Sequence, residues 1–193
     1  MISTDVIKSV CSKAPGQMSF QERKFICDKL ANHNCTNLLV FGAGYDSELW
    51  SHLSVNTHVV EHDNGWLKNK QNEYQHVIGL NFYKAHYNTF THAQECIECM
   101  NNNSDRLNVT IDGLEVESLS WDAVIVDAPT GYRDTNELYR AGSIQLAAKL
   151  TANKCHVFVH DVNRRVESLA CDKYFKNKLA YNIDRLNYYD YTC

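Results

Sequence analysis

The segment Trp121-Asp122-Ala123-Val124-Ile125-Val126-Asp127-Ala128-Pro129-Thr130-Gly131-Tyr132 constrains the fold more than any other. An apolar run, Ala123 to Val126, ends at a carboxylate and then at a Pro/Gly break. Such a run, bounded by breakers, has the pattern of a strand buried on both faces of a parallel sheet. Ligands of open α/β sheets sit beyond the carboxyl ends of these strands, so Asp127 stands where chemistry is done in this fold class. The same grammar returns at Leu38–Ser47 and at His156–Arg164.

The strands predicted from pattern alternate with helices. The N-terminal segment up to Gly16 is expected to be loose or a short helix. Ser19 with Glu22 three residues on reads as a capping box, opening a helix from Phe20 to about Asn32. Strands are expected at Asn37–Phe41, Thr57–Val60, Gln75–Leu80, Ala123–Val126, His156–Val159 and Leu186–Tyr191. Helices are expected at Glu48–Leu53, Asn64–Tyr74, Thr91–Met100, Glu137–Leu150 and Arg165–Phe175. Leu107–Leu119, with its Asp112-Gly113 turn signal, reads as a small embellishment. This order predicts a mostly parallel central sheet with helices on both faces, and 193 residues fit a single domain over 1–193.

Composition excludes several classes. Hydrophobic residues are 44% and charged residues 22%, an ordinary globular balance. The net charge of -4 carries no basic footprint, so no nucleic-acid partner is expected. No apolar run is long enough to span a bilayer, and Met1 to Ser19 lacks a signal-peptide core, which gives a cytoplasmic expectation. The 8 cysteines are therefore read as thiols. Cys96-Ile97-Glu98-Cys99 is a CxxC without a second pair, a poor zinc or redox signal.

Phe41-Gly42-Ala43-Gly44-Tyr45-Asp46-Ser47 follows a strand and precedes a helix, and Glu61-His62-Asp63 closes the next strand about 20 residues on. Glycines let the backbone approach a ligand, and a carboxylate at the second strand end suits ribose hydroxyls. The pair indicates an adenosine-containing cofactor. A pyrophosphate needs an unencumbered helix N-terminus. Asp46 stands near that terminus, and its carboxylate suits a sulfonium better than phosphate. S-adenosylmethionine is thus favoured over a dinucleotide.

Four strings then occur in one order: Leu39–Ser47, Glu61–Trp66, Trp121–Tyr132 and His156–Glu167. Over roughly Gln17 to Phe175 the chain resembles the plant polysaccharide-biosynthesis family that includes the glucuronoxylan 4-O-methyltransferases. The resemblance implies a Rossmann-like class I methyltransferase fold, S-adenosyl-L-methionine as donor and a sugar hydroxyl as acceptor, typically O4 of a glucuronic acid. It also implies that Gly42, Gly44, Asp46 and Glu61 hold the donor, with Phe41, Ser47, Asp63 and Asp127 beside them, and that Asp127, His160 and Asp161 face the acceptor. The family usually has a bulkier residue at Ala43 and His at Tyr45. It reads Pro-Gly-Arg-Met where this chain has Leu138-Tyr139-Arg140-Ala141.

Methyl transfer to an alcohol needs a proton acceptor near the hydroxyl. His160 has a suitable intrinsic pKa, Asp161 would orient it, and Asp127 is the other candidate base. A divalent metal on Asp127, His160 and Asp161 is a further option. A uronate acceptor calls for Arg140 or Arg164, because guanidinium binds carboxylate bidentately. Thr130 and Tyr132 would line the acceptor side, and Tyr132 and Trp66 have faces for stacking. Competing readings are a phenol or metabolite O-methyltransferase and a non-catalytic glycan-assembly protein that kept the fold.

Overall fold

A computed structural model of the chain describes residues 2–14, 16–131, 137–151 and 154–192. Its elements are α1 (Thr4–Lys13), α2 (Phe20–Leu30), β1 (Asn37–Phe41), α3 (Ser47–Ser51), β2 (Asn56–Glu61), α4 (Asn64–Glu73), β3 (Leu80–His86), α5 (Ala93–Asn101), β4 (Thr110–Ile111), β5 (Ala123–Val126), α6 (Ala141–Leu150), β6 (His156–Val159), α7 (Arg165–Phe175), β7 (Leu179–Ile183) and β8 (Leu186–Asp190). The strands form one sheet in the order β4-β3-β2-β1-β5-β6-β8-β7. The strands β3, β2, β1, β5 and β6 run parallel, whereas β8 is antiparallel to β6 and β7 to β8. This is the Rossmann-like class I methyltransferase arrangement, an α/β sheet covered on both faces.

Alternation along the parallel strands divides the core in two. Leu39, Phe41, Val124, Val126, Val157 and Val159 pack with residues of α5, α6 and α7 on one face. Leu38, Val40, Ala123, Ile125 and Phe158 pack with α1, α2 and α3 on the other. Chain order reverses between β1 and β5, with β2 on one side and β6 on the other, so a crevice opens where their carboxyl ends diverge.

Several boundaries differ from the sequence expectation. The third strand is Leu80–His86, not Gln75–Leu80, because Gly79 turns the chain with a positive φ of 81° and has the Val55 carbonyl where a side chain would stand. Residues of β3 are half-exposed, which masks the strand in an apolarity scan. α6 starts at Ala141 rather than Glu137, since Glu137 bridges to Phe90 through both backbone hydrogen bonds. The edge strand β7 was not anticipated: most of its residues are exposed, so it lacks the buried-strand signature. The segment before Gly16 is a capped helix, α1. Cys96 is buried in the core and burial pushes its thiol up to about 12, so the CxxC has no reactive thiolate there. Among the described residues, no helix is long and apolar enough to cross a membrane.

Candidate active site

The crevice beyond the strand ends is a cleft of about 470 Å³. On one side it is lined by the β1–α3 loop and by the ends of β2 and α4. The other side is formed by the residues after β5 and β6, and Gly16 and Gln17 of the α1–α2 connection complete the wall.

The glycine loop is shaped by sterics. Gly42 has a φ of +113°, and a Cβ there would meet Ala128 Cβ at 3.0 Å, so only glycine fits without strain. Glu61, at the end of β2, is buried and lines the cleft. It accepts the N–H groups of Ala43 at 3.1 Å, His62 at 2.7 Å and Asp63 at 2.8 Å. Burial alone would raise its pKa. The His62 and backbone hydrogen bonds outweigh that and keep the carboxyl below its ordinary range. Asp63 caps α4 through Trp66 N at 2.6 Å and stands exposed at the rim. The Trp66 indole donates to Ala43 O at 2.5 Å and fixes the loop from outside. Gly42, Gly44, Asp46, Glu61 and Asp63 all line the cleft.

Three expected ligand contacts need correction. Phe41 is fully buried in the core, and only its backbone serves the site, accepting Asp127 N at 2.9 Å. Ser47 is buried too, and its hydroxyl accepts Gly44 N at 3.0 Å inside the loop. Asp46 is not a free carboxylate awaiting a cation, because Arg23 binds its Oδ2 through Nε at 3.3 Å and Nη2 at 3.1 Å. Burial pushes the Asp46 carboxyl up, and Arg23 pulls it back. With Asp46 paired to Arg23, Glu61 and Asp63 are the carboxylates that leave that half of the cleft acidic.

Across the cleft lies a dense ionic cluster. His160 Nδ1 is 2.8 Å from Asp127 Oδ1, and its Nε2 is 3.5 Å from Glu22 Oε2. Burial would discharge this imidazole. The carboxylates of Asp127, Glu22 and Asp161 prevail and push its pKa up to about 9. Charge and both carboxylate contacts favour the protonated ring near neutral pH, which disfavours His160 as the base and points to Asp127 among the candidates. Asp161 is also saturated. Arg140 at 2.9 Å, Arg164 at 2.7 Å and Arg185 at 3.0 Å all hold it. Asp127 is the carboxylate that retains access to the cleft, with a side chain 24% exposed. Its Oδ1 takes His160 and, at 3.2 Å, Arg140. These cations outweigh its burial and lower its pKa to about 2.

Arg140 is a framework residue rather than a reader of substrate. Its guanidinium is 5% exposed and is bound by Pro129 O at 2.8 Å, His160 O at 2.9 Å and two carboxylates. Arg164 does reach the cleft. It bonds Thr130 O and Asp161 and keeps an exposed edge. Thr130 lines the cleft, and Tyr132 lies outside the described residues.

The Asp127, His160 and Asp161 donor atoms lie within 4.8 Å of one another. In this arrangement they do not fit a metal ion. A dication would have to displace the His160 proton and Arg140, and then sit beside three guanidinium groups.

Sequence reasoning missed Glu22, Arg23 and Arg185. Arg23 had a visible signal: it occupies the stripe of Ile26, Cys27 and Leu30 at helical spacing, a charge on an apolar face. Glu22 was read only as a cap. Arg185 sits in the β7–β8 turn, remote from every motif.

Comparison with known proteins follows the same lines. The chain is 26% identical to glucuronoxylan 4-O-methyltransferase 2 of Arabidopsis thaliana, covering 92% of this chain and 68% of that protein. It is 30% identical to glucuronoxylan 4-O-methyltransferase 1, covering 74% and 57%, and 28% identical to arabinogalactan O-methyltransferase 2, covering 91% and 68%, both of the same plant. It thus spans 57–68% of the length of these relatives. Among solved structures, the fold matches an O-methyltransferase from Bacillus cereus in complex with SAH, with a TM-score of 0.54 at 11% identity over 91% of this chain and 77% of that one. Precorrin-6y C5,15-methyltransferase from Geobacter metallireducens gives 0.52 at 11% identity over 92% and 90%. Residues 21–187 match the family model described as IRX15/IRX15L/GXM, and the chain belongs to that family.

Proposed function

We propose that the protein is an S-adenosylmethionine-dependent O-methyltransferase acting on a sugar hydroxyl, with O4 of a glucuronic acid in a glycan as the preferred acceptor. One observation carries this reading: the glycine loop, the Glu61 carboxylate and Asp127 line a single cleft beyond the strand ends. The plant relatives named for glucuronoxylan and arabinogalactan supply the sugar class.

The donor fits the cradle half. The glycine loop lines this half of the cleft beside Glu61, whose ionised carboxylate can accept ribose hydroxyls. When bound, the donor supplies an electrophilic methyl on a cationic sulfur, and the acidic half of the cleft favours that charge. The acceptor occupies the other half, where Arg164 and Arg185 offer partly exposed guanidinium edges to a uronate carboxylate. Asp127 would accept the hydrogen bond of the attacking hydroxyl and take its proton as the C–O bond forms and the methyl–sulfur bond breaks, with S-adenosylhomocysteine as the leaving group, and would then release the proton to water. With a pKa of about 2 it is a weak base, so most of the acceleration is assigned to holding hydroxyl and methyl in line.

The test is transfer of labelled methyl from S-adenosylmethionine to a panel of uronate-bearing and neutral oligosaccharides and simple phenols. Label on the uronate-bearing sugars is expected, and on neutral sugars much less. Label on phenols alone would overturn the sugar assignment. Donor binding without labelling of any acceptor would favour a non-catalytic member of the family.

A further inference from the structure

Glu22 is buried more deeply than its capping role requires. A capping-box glutamate ordinarily sits at a wet helix start and needs only the N-cap amide. Here the residue is fully buried, at a free-energy cost unless it is well bonded. Its Oε2 accepts Ser19 N at 2.6 Å and its Oε1 accepts Arg185 N at 2.9 Å, so two separate chain segments clamp the carboxylate. The clamp aims Oε2 at His160 Nε2, 3.5 Å away, and that nitrogen is buried without a closer partner.

We propose that Glu22 is a positioning residue: acting through His160, it fixes the Asp127 carboxylate so that one oxygen is consumed and the other faces the acceptor. This rests on the methyltransferase reading above. The chain of contacts is continuous, from Glu22 on α2 through both ring nitrogens of His160 to Asp127 Oδ1. The remaining charges around the imidazole are Asp161, 3.6 Å from Nδ1, and Arg140, whose Nη1 bonds the His160 carbonyl and also reaches Asp127. A neutral His160 could present an unprotonated Nδ1 to Asp127 and repel it. The charged ring cannot, because both of its nitrogens are donors.

Glu22→Gln removes the charge at nearly constant shape and can still close the capping box, but its single acceptor oxygen keeps only one of the two backbone hydrogen bonds, so stability is measured beside the two readouts. Two readouts are taken: the pH titration of the His160 ring by NMR, and the pH profile of kcat/KM for methyl transfer. In the wild type, His160 is expected to titrate near 9. In Glu22→Gln the titration and the alkaline limb of the rate profile are both expected to move down by about 1 unit or more. Ser19→Ala removes the cap while leaving the relay, and should lower stability without moving either pH midpoint. An unmoved His160 titration in Glu22→Gln overturns the proposal, as does a shifted titration with an unmoved rate profile. If the variant fails to fold, a wild-type His160 titrating near its ordinary 6.5 overturns it too. Absence of any methyl transfer by the wild type is a failure of the methyltransferase reading, and the NMR titration then decides the relay by itself.

Discussion

At the scale of single residues, the site is a contest between burial and charge. Asp127, Glu22 and Glu61 are each buried to some degree and yet remain ionised, because each collects cations or N–H donors. Asp127→Asn keeps the shape and removes the proton acceptor. It is expected to cut kcat by about 10²-fold, the lower end for a general base, because so acidic a group is a weak one. Calorimetry should show donor affinity little changed. Arg23→Met leaves Asp46 buried without its partner and is expected to cost about 3–5 kcal/mol in chemical denaturation. The residues legible in the sequence were those at strand ends: Asp127, Glu61, His160 and Asp161 all lie where the apolar runs stop. Their roles were less legible. A pKa depends on neighbours brought from α2, α6 and the β7–β8 turn, and no local string contains them.

At the scale of elements, α2 does two things at once. Its capping box starts the helix, and the same glutamate enters the ionic cluster. Ser19→Ala should cost about 1 kcal/mol of stability, measured by thermal or urea unfolding. Gly42→Ala places a methyl against Ala128 in a backbone conformation that disfavours side chains. A loss of stability is expected in unfolding, with the adjoining Asp127–Ala128 backbone displaced and methyl transfer reduced on the same samples. Patterning found the parallel strands β1, β2, β5 and β6 because burial on both faces leaves continuous apolar runs. It misplaced β3 and passed over β7, since half-exposed or edge strands carry no such run.

For the molecule as a whole, the ionic cluster sets a pH window. The folded-state pKa of His160 lies above its ordinary 6.5, at about 9. Its contribution to stability is therefore complete below 6.5 and lost as pH rises toward 9. Glu22 and Asp127 are displaced the other way, to about 2, so their contributions are complete above the ordinary carboxylate range and lost as pH falls toward 2. A melting-temperature profile should hold level between those limits and decline on both sides, and replacing His160 with Gln should flatten the alkaline decline. Because the cluster's carboxylates are already satisfied by guanidinium groups and a proton, a chelator should leave turnover unchanged. Turnover lost to chelation and restored by a divalent ion would show that the cluster rearranges around a metal. The most direct measurement is titration calorimetry of S-adenosylhomocysteine into the wild type and Glu61→Gln. A micromolar dissociation constant, weakened about 10-fold or more in the variant, is expected. No binding at high micromolar ligand, or equal affinity for both proteins, would contradict a donor site between Gly42 and Glu61.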